Sequence, residues 1–327
     1  MTQTAPIKVT LIAGGVGGAK MAEGLYQLEN VELSIIGNIA DDEAFHGLWV
    51  SPDIDTLTYT LADVIERQQG WGVKDESHRA LETLSILGDD TWMSLGDRDF
   101  GLHIYRTHRR RKGHRPTHIA QDIAESFGLT CRIILPTDDV VQTRVKTDAG
   151  WLSFQQYFVR ERCAPDVREL RYDRIEKAHA TDEALSALSE ADVIVMAPSN
   201  PLVSILPVLQ IPGILEAIKA SNAVKIGVSP IINGGVVKGP ADRMLASLGH
   251  EATALGVAQM YAEFLDCFVI DHADEQHVSA INQLGMMSSM KAILMKSRED
   301  KVRLASEVLA VSGVMGSWVS PAQEPET

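Results

Sequence analysis

Short apolar runs alternate along the chain with amphipathic stretches, and this alternation is the first guide to the fold. The near-continuous apolar runs are predicted to be β-strands: 8–14, 32–38, 130–136, 192–198, 224–230 and 267–271. The stretches with helical spacing are predicted to be helices: 18–28, 55–67, 77–87, 117–127, 181–190, 213–220, 241–248, 254–265 and 299–311. Unbroken apolar strands are typical of a parallel sheet that helices cover on both faces. The pattern therefore predicts an α/β fold with a Rossmann-like, mainly parallel sheet flanked by helices.

One segment departs from this alternation. Residues 143–161 read as two strands around the turn sequence Asp148-Ala149-Gly150, which predicts an antiparallel hairpin. The hairpin is predicted to belong to a smaller inserted α+β subdomain. The predicted division of the chain is a Rossmann-like core with the active-site cleft at 1–136 and 181–320, the inserted subdomain at 137–180, and a frayed tail at 320–327.

Composition narrows the function classes. The chain has 327 residues, of which 45% are hydrophobic, and a formal net charge of −14, which argues against a nucleic-acid binder. No run approaches the ~18 consecutive apolar residues of a membrane span. Cys131, Cys163 and Cys267 form no metal or redox motif, and with these features they predict a cytoplasmic protein. The basic run 107–116 is either a solvated loop or helix end, or a region that steers a polyanionic substrate.

The first strand leads into a glycine-rich loop, VTLIAGGVGGAK, at residues 9–20. A dinucleotide fingerprint that starts at Gly15 requires a glycine where Lys20 stands, and a P-loop that starts at Gly14 requires a hydroxyl where Met21 stands. Neither motif is present. Glycines before a helix nevertheless let a phosphate approach the backbone and the free N–H groups of the first helical turn. The alternative is a tight turn that serves packing alone.

Acidic residues follow the second predicted strand and open the next helix. Asp41 and Asp42 stand in GNIADDE, and Asp53 and Asp55 stand in SPDIDT. Carboxylates at such positions can share Mg²⁺, which takes one or two carboxylates together with substrate phosphates. The alternative is that these residues cap helices and face solvent.

Other predicted loops carry residues that suit a phosphorylated ligand. Arg98 lies in SLGDRDFGLH, where its guanidinium can hold a phosphate or form a surface ion pair. Ser199 and Asn200 lie between two prolines after a strand. Lys238 and Gly239 belong to INGGVVKGPAD, a second glycine-rich loop with a positive charge. Two such loops favour a nucleotide diphosphate ligand, with Mg²⁺, over packing alone.

The motifs, taken together and in order, resemble those of one family. They are LIAGGVGGAK, GNIADDEAFHGLWVSPDIDT, GWG, LGDRDFGLHI, LPTDD, FQQYFV, APSNPLVSI, VSPIINGGVVKGPAD and GVAQMYAEFLDCFVID, and they span about residues 8 to 310. This ordered set resembles the 2-phospho-L-lactate transferases, which build the deazaflavin coenzyme F-420.

The resemblance implies a Mg²⁺-dependent transferase of a substituted phosphate group (EC 2.7.8). The acceptor would be the deazaflavin Fo, through the terminal hydroxyl of its ribityl chain. The donor would be a guanosine diphosphate linked to a three-carbon acid of the 2-phospholactate, phosphoenolpyruvate or 3-phosphoglycerate type. GMP would be released, and F-420-0 or its analogue formed. The resemblance further implies a homodimer and functional coupling to the guanylyltransferase that makes the donor. The alternative is a non-catalytic, nucleotide-sugar-binding regulator of the same fold superfamily.

The resemblance also suggests roles for the residues quoted above. The expected catalytic residues are Asp55 and Asp42, and the expected Mg²⁺ ligands are Asp55, Asp53 and Asp42. The residues expected to bind substrate are Gly15, Gly17 and Gly18 for phosphate or the ribityl chain, Ser94 and Arg98 for the deazaflavin or phosphate, and Ser199, Asn200, Lys238 and Gly239 for the guanylate.

Overall fold

The computed structural model describes residues 5–237 and 239–313. The strands are β1 (Ile7–Ala13), β2 (Val31–Gly37), β3 (Glu43–Phe45), β4 (Leu48–Val50), β5 (Arg132–Ile134), β6 (Gln142–Thr147), β7 (Gly150–Ser153), β8 (Glu169–Asp173), β9 (Val193–Met196), β10 (Val224–Val228), β11 (Ile231–Ile232), β12 (Gly235–Val236), β13 (Cys267–Asp271) and β14 (Met287–Lys291). The α-helices are α1 (Gly15–Tyr26), α2 (Pro52–Leu61), α3 (Arg79–Ile86), α4 (Asp97–Arg111), α5 (Pro116–Ser126), α6 (Asp182–Glu190), α7 (Leu206–Leu209), α8 (Ile214–Ala220), α9 (Ala241–Ser247), α10 (Ala254–Tyr261), α11 (Val278–Gln283) and α12 (Arg298–Val311).

The centre of the fold is a seven-stranded sheet in the order β5-β2-β1-β9-β10-β13-β14. All of its neighbouring strands run parallel. Starting from β1, the chain adds β2 and β5 on one side and then returns to place β9 on the other, which is the strand order of a Rossmann-like sheet. Helices pack on both faces, and the predicted α/β fold is confirmed.

Hydrophobic periodicity did not predict several elements of the structure, and β14 and α4 are two of them. Strand β14 is the edge of the sheet, and its side chains are half-buried or exposed, so it has no continuous apolar run. Helix α4 has no counterpart among the predicted helices. Its first turn is acidic and its last turn is basic, which is the arrangement that the helix dipole favours.

The basic run 107–116 forms the end of α4 and the turn after it. Arg109 pairs with Asp122, and Arg115 reaches Glu183, with nitrogen–oxygen distances of 2.8 and 2.7 Å. These side chains therefore connect α4 and α5 to neighbouring elements. The structure thus places the run at a helix end.

The inserted segment contains the predicted hairpin. Strands β6 and β7 pair antiparallel around Asp148 and Ala149, and β8 adds a third strand on the other side of β6. After β7 the chain forms a π-helical turn, Gln156–Arg160, where the sequence suggested a longer second strand. Buried side chains of the segment, such as Val145 and Tyr157, belong to an apolar cluster that also contains residues of the main sheet. The predicted domain boundaries stay a prediction, and the tail 320–327 lies outside the described residues.

The apolar segment 261–270 lies in the interior. Tyr261 at the end of α10 is 2% exposed, and Phe268 in β13 is fully buried. This segment is therefore core, and the predicted homodimer stays a prediction. No single helix of the described chain is long and apolar enough to cross a membrane. The helical segments Pro201–Leu209 and Ile214–Ala220 reach the length and hydrophobicity of a membrane span only when they are taken together, and a bend of 78° separates them.

Helices α1 and α12 cross at Gly24 in α1. A Cβ atom at this position would lie 2.2 Å from the carbonyl oxygen of Lys301. Next to it, the buried carboxylate of Glu23 pairs with the Lys301 ammonium at 2.5 Å and with Arg67 at 3.1 Å. The close backbone approach at Gly24 and the ion pairs of Glu23 together hold α12 against α1.

Gly24→Ala is expected to lower the free energy of unfolding by about 1–3 kcal/mol, because the added methyl group meets backbone that cannot move independently. Gly101→Ala is the matched control, since a Cβ atom at this exposed helical position has no heavy atom within 4 Å. Alanine there should stabilise the protein by up to about 1 kcal/mol. Urea unfolding measures both changes, and equal effects would contradict the close helix crossing.

Candidate active site

A cleft of about 480 Å³ opens at the carboxyl ends of the central strands. Residues that follow β1, β2, β9 and β10 line it, together with residues of α2, α4 and the inserted segment. Open parallel sheets bind ligands at this edge, beside the point where the strand order reverses. Here the reversal lies between β1 and β9, so the topology places the cleft where a Rossmann-like sheet is expected to hold its ligand.

The glycine-rich loop forms one wall of the cleft. Gly15 has a φ of +60°, which favours glycine, and α1 begins at this residue. Gly17 packs so closely on the next loop that a Cβ atom would lie 2.1 Å from the carbonyl oxygen of Pro198. The Ser199 hydroxyl donates to the Gly14 carbonyl at 2.8 Å and joins the two loops. The glycines thus keep backbone, rather than side chains, at the cleft surface.

Two carboxylates lie beside this loop, and an asparagine holds one of them. Asn38, at the end of β2, donates from Nδ2 to Asp53 Oδ2 at 2.9 Å and to the carbonyl oxygen of Val203 at 3.1 Å. The backbone of Gly15 donates to Asp53 as well. Both carboxylates line the cleft, yet Asp41 Oδ1 is buried and has no partner among the described residues. One oxygen of the Asp41–Asp53 carboxylate pair therefore lacks a hydrogen-bond partner among the described residues.

The electrostatics of this pair favour a bound cation. Burial raises the pKa of Asp53 to about 6. Burial, and then the nearby charge of Asp53, raise the pKa of Asp41 well above its usual value. In the part of the chain that the structure describes, no three His, Cys, Asp or Glu side chains converge as a metal site. Two carboxylates fit Mg²⁺, which in nucleotide sites takes few protein ligands and fills its shell with water and phosphate oxygens.

Asp55 also lines the cleft, but its charge is already compensated. Both of its oxygens accept hydrogen bonds from the Arg106 guanidinium, in a bidentate arrangement that includes an Nη1–Oδ2 distance of 3.1 Å. His103 Nδ1 lies 3.8 Å from the same carboxylate. Burial raises the pKa of Asp55 and Arg106 opposes that shift. The negative charge of Asp55 is thus balanced by the ion pair with Arg106.

Asp42 lies behind the cleft wall. Its Oδ2 accepts hydrogen bonds from Trp49 Nε1 at 3.0 Å and from the Ser51 hydroxyl at 2.6 Å. It lines a separate small cavity with Trp49 and Arg110, and it is not among the residues that line the main cleft. The structure therefore separates Asp42 from Asp53 and Asp55, with which the sequence had grouped it. Its predicted catalytic and metal-binding roles lack this geometric support.

The structure brings most of the other predicted binding residues to the cleft. The predicted residues that line it are Gly15, Gly17, Ser94, Ser199, Asn200 and Gly239. Gly18 packs inside the fold, where a Cβ atom would lie 2.9 Å from both Ala13 and Ser199.

Two of the predicted cationic residues stand apart from this set. Arg98 is exposed and donates from Nη1 to the carbonyl oxygen of Lys74 at 3.0 Å, and it does not line the cleft. Lys238 lies outside the described residues.

Aromatic and apolar side chains line the part of the cleft away from the glycine-rich loop. Phe154 and Phe158 of the inserted segment stack with ring centroids 5.5 Å apart. Trp71, which is 46% exposed, and Met93 line the same cleft. The cleft therefore joins a polar end, with backbone and two carboxylates, to an apolar end that suits a flat ring system.

Comparison with known proteins identifies the family of the chain. The sequence model of the family described as 2-phospho-L-lactate transferase CofD matches residues 9–312 of the chain. The chain belongs to the 2-phospho-L-lactate transferase CofD family.

The relatives of the chain include both phospholactate and phosphoenolpyruvate transferases. A 2-phospho-L-lactate transferase of Methanosarcina acetivorans is 35% identical over 302 residues, which cover 92% of this chain and 98% of the relative. A phosphoenolpyruvate transferase of Kitasatospora aureofaciens is 36% identical over 314 residues, covering 94% and 98%. The family resemblance seen in the ordered motifs is confirmed, and the chain is a member of a family of phospholactate and phosphoenolpyruvate transferases.

A solved structure shares the fold. A member of the UPF0052 family from Bacillus halodurans has a TM-score of 0.66 with this chain at 15% sequence identity, and the match covers 94% of this chain and 99% of that one. At this identity the likeness supports the α/β architecture alone.

In this CofD family member, sequence reasoning missed several polar residues of the cleft wall. Asp99, His103 and Arg106 are spaced by four and three residues along α4, so they form one buried stripe of that helix. The Tyr59 hydroxyl of α2 donates to Asp99 Oδ1 at 2.7 Å across the helix interface. The spacing was visible in the sequence, but it is informative only once 97–111 is recognised as a helix. The sequence assigns the site roles to Asp42, whereas it is Asp41 that lines the cleft.

Asp42→Asn is expected to leave the transferase fold intact and to weaken the pH dependence of its stability. Burial raises the pKa of Asp42 to about 7, although hydrogen bonds from Ser51 and Trp49 oppose the shift. A carboxyl whose folded-state pKa is raised stabilises the fold fully below its unfolded pKa, and this contribution is lost as the pH rises through the folded value. The free energy of unfolding should therefore fall between about pH 4 and pH 7, by on the order of a few kcal/mol more in the wild type than in the variant.

Urea unfolding at a series of pH values measures this difference. The amide oxygen of asparagine can replace Oδ2, which accepts both hydrogen bonds, so the variant should fold. Parallel stability curves for the two proteins would show that Asp42 does not keep its proton in the folded state.

Proposed function

We propose that this CofD family member transfers a phospho-three-carbon-acid group from a guanosine diphosphate-linked donor to the ribityl hydroxyl of the deazaflavin Fo. The oxygen–phosphorus bond forms at the phosphate that carries the acid, the phosphoanhydride bond to GMP breaks, and the hydroxyl proton leaves to solvent. The observation that carries the proposal is the buried Asp41–Asp53 pair. Asp53 lies against Gly14 of the glycine-rich loop, and the Asp41 carbonyl oxygen accepts a hydrogen bond from Gln155, the neighbour of Phe154.

The polar end of the cleft suits the diphosphate of the donor. The backbone of the glycine-rich loop lines the cleft, and the N-terminus of α1 begins there, so N–H groups and the helix dipole favour an anion. Ser199 fixes this loop through Gly14, and Lys20 adds a positive charge to the cleft lining. These groups would hold phosphate oxygens in place, and positioning is a large part of catalysis in phosphoryl-type transfer.

Asp41 and Asp53 are the residues proposed to hold Mg²⁺. When bound, the metal would neutralise the charge that develops on the phosphate oxygens. Asn38 positions Asp53 through its side chain, and the unpartnered Oδ1 of Asp41 is an oxygen that a cation would satisfy. Asp55, which the sequence placed first among the ligands, is bonded to Arg106 and is proposed to act through that residue instead.

The apolar end of the cleft suits the deazaflavin ring system. Trp71, Met93 and the stacked pair Phe154 and Phe158 line it, and flat aromatic ligands pack well on such side chains. The ribityl chain would then extend from this end towards the carboxylate pair. The donor acid stays open among the 2-phospholactate, phosphoenolpyruvate and 3-phosphoglycerate types, since relatives of the first two kinds match the chain about equally.

The direct test incubates the pure protein with Fo, Mg²⁺ and each of the three guanylylated donors in turn. Mass spectrometry should detect a deazaflavin phosphodiester and GMP with one donor or more. The absence of this product with every donor would refute the transferase proposal for this chain.

Asp53→Asn is expected to lower the turnover of the active donor by about 100-fold or more, because the variant keeps the hydrogen bond from Asn38 but loses a charged metal ligand. Asp122→Asn is the matched control, since this partly exposed carboxylate pairs with Arg109 and does not line the cleft. Its turnover should equal that of the wild type. The Mg²⁺ concentration for half-maximal activity should rise only in the Asp53 variant, and normal activity there would remove Asp53 from the site.

A further inference from the structure

His103 is a buried imidazole whose two nitrogens have different surroundings. It lies on α4, is 2% exposed and lines the cleft. Its Nδ1 is 3.2 Å from Nη1 of Arg106. An arginine can only donate, so Nδ1 must accept this hydrogen bond and carry no proton. A neutral imidazole then has its proton on Nε2.

The Nε2 atom of His103 has no hydrogen-bond partner among the described residues and is shielded from solvent. Buried donors are almost always satisfied, and leaving one unpaired costs free energy. The ring that carries this unpaired donor lines the cleft, whereas His46, whose Nε2 is also buried without a partner in the described part of the chain, does not.

The surroundings keep this ring uncharged. Burial lowers the pKa of His103 to about 3, the charge of Arg106 adds to the shift, and Asp99 opposes it. The other ionisable groups near the ring are Asp55 and Tyr59, on α2. Arg106 neutralises Asp55, and Asp99, which accepts a hydrogen bond from Tyr59, opposes the lowering of the His103 pKa without outweighing burial and the charge of Arg106.

We propose that His103 presents its Nε2–H to the cleft as an uncharged hydrogen-bond donor for a polar atom of the heteroaromatic acceptor. This inference rests on the proposed function and names a specificity residue within it. An uncharged donor suits a carbonyl oxygen or ring nitrogen of a heteroaromatic compound better than a phosphate, which the glycine-rich loop and helix dipole attract. The apolar lining nearby, including Met93 and Leu95, agrees with this choice.

The proposal assigns a role to the buried ion pair of Asp55 and Arg106. Asp55 holds Arg106 bidentately, and Arg106 in turn holds Nδ1 of His103. Asp55 and Arg106 are therefore positioning residues for His103, which select its tautomer and orient its ring. Such support of a ligating imidazole by a second group is a general way to fix which nitrogen carries the proton.

The first test is the tautomer of His103 in the ligand-free, full-length protein. Nitrogen-15 NMR of the protein labelled at histidine should show a protonated Nε2 and an unprotonated Nδ1, with assignment from the spectrum of His103→Gln. A proton on Nδ1, or on both nitrogens, would overturn the proposal. This result does not depend on whether any donor is turned over.

The second test compares two substitutions that each keep one half of the imidazole. His103→Asn keeps an acceptor near the position of Nδ1 for Arg106 but removes the distal donor. His103→Gln places an amide N–H near the position of Nε2. The dissociation constant and KM for Fo should rise roughly 10- to 100-fold in the Asn variant, recover in part in the Gln variant, and change little for the guanylylated donor.

His46→Asn is the matched control. This residue also has a buried Nε2 without a partner, but its Nδ1 bonds to Asp89 and it does not line the cleft. Its affinity for Fo should match the wild type. Equal binding of Fo by the wild type and the His103→Asn protein, or equal losses for Fo and the donor, would overturn the proposal.

Isothermal titration calorimetry of Fo binding separates the transferase proposal from the proposed role of His103, because the measurement requires no turnover. Binding of Fo that depends on His103, without product from any donor, would refute only the proposed function. Product formation with an affinity for Fo that is indifferent to His103 would refute only this inference.

Discussion

The ion pair between Asp55 and Arg106 divides the acidic residues of the cleft into two kinds. Both oxygens of Asp55 accept hydrogen bonds from one guanidinium, whereas Asp41 and Asp53 form no ion pair among the described residues. Removing one partner of a buried ion pair typically lowers the free energy of unfolding by about 3–5 kcal/mol. Arg106 is therefore expected to stay bonded to Asp55. The metal proposal and the histidine proposal both depend on it, since Arg106 also sets the state of His103.

Backbone geometry supplies the other constraint on the site. The glycine-rich loop must pass between the carboxylates and the loop after β9, and a Cβ atom at Gly14 would lie 2.5 Å from Asp53 Oδ2. Asn38 ties the same carboxylate to the carbonyl oxygen of Val203 at 3.1 Å. Three strand ends thus meet around Asp53, and the parallel sheet holds them in register. Binding groups placed on a rigid sheet edge in this way are preorganised for a ligand.

The sequence predicted the central sheet well for a physical reason. Strands buried on both faces, such as β9 and β13, are continuous apolar runs that no surface requirement interrupts. Strand β14 and helix α4 escaped prediction because one lies at the sheet edge and the other buries a polar stripe. The position of Asp41, rather than Asp42, in the main cleft could not be predicted for a different reason. In a loop the direction of successive side chains depends on the backbone path, which residue type and spacing do not determine.

The most direct test of the central claim is the position of a bound metal. Crystals grown with GDP and Mn²⁺ in place of Mg²⁺ would locate the ion by its anomalous scattering. The account predicts one peak between the carboxylates of Asp41 and Asp53, with Asp55 still bonded to Arg106. A peak on Asp55, with Arg106 displaced from it, would contradict the division of the acidic residues on which the account depends.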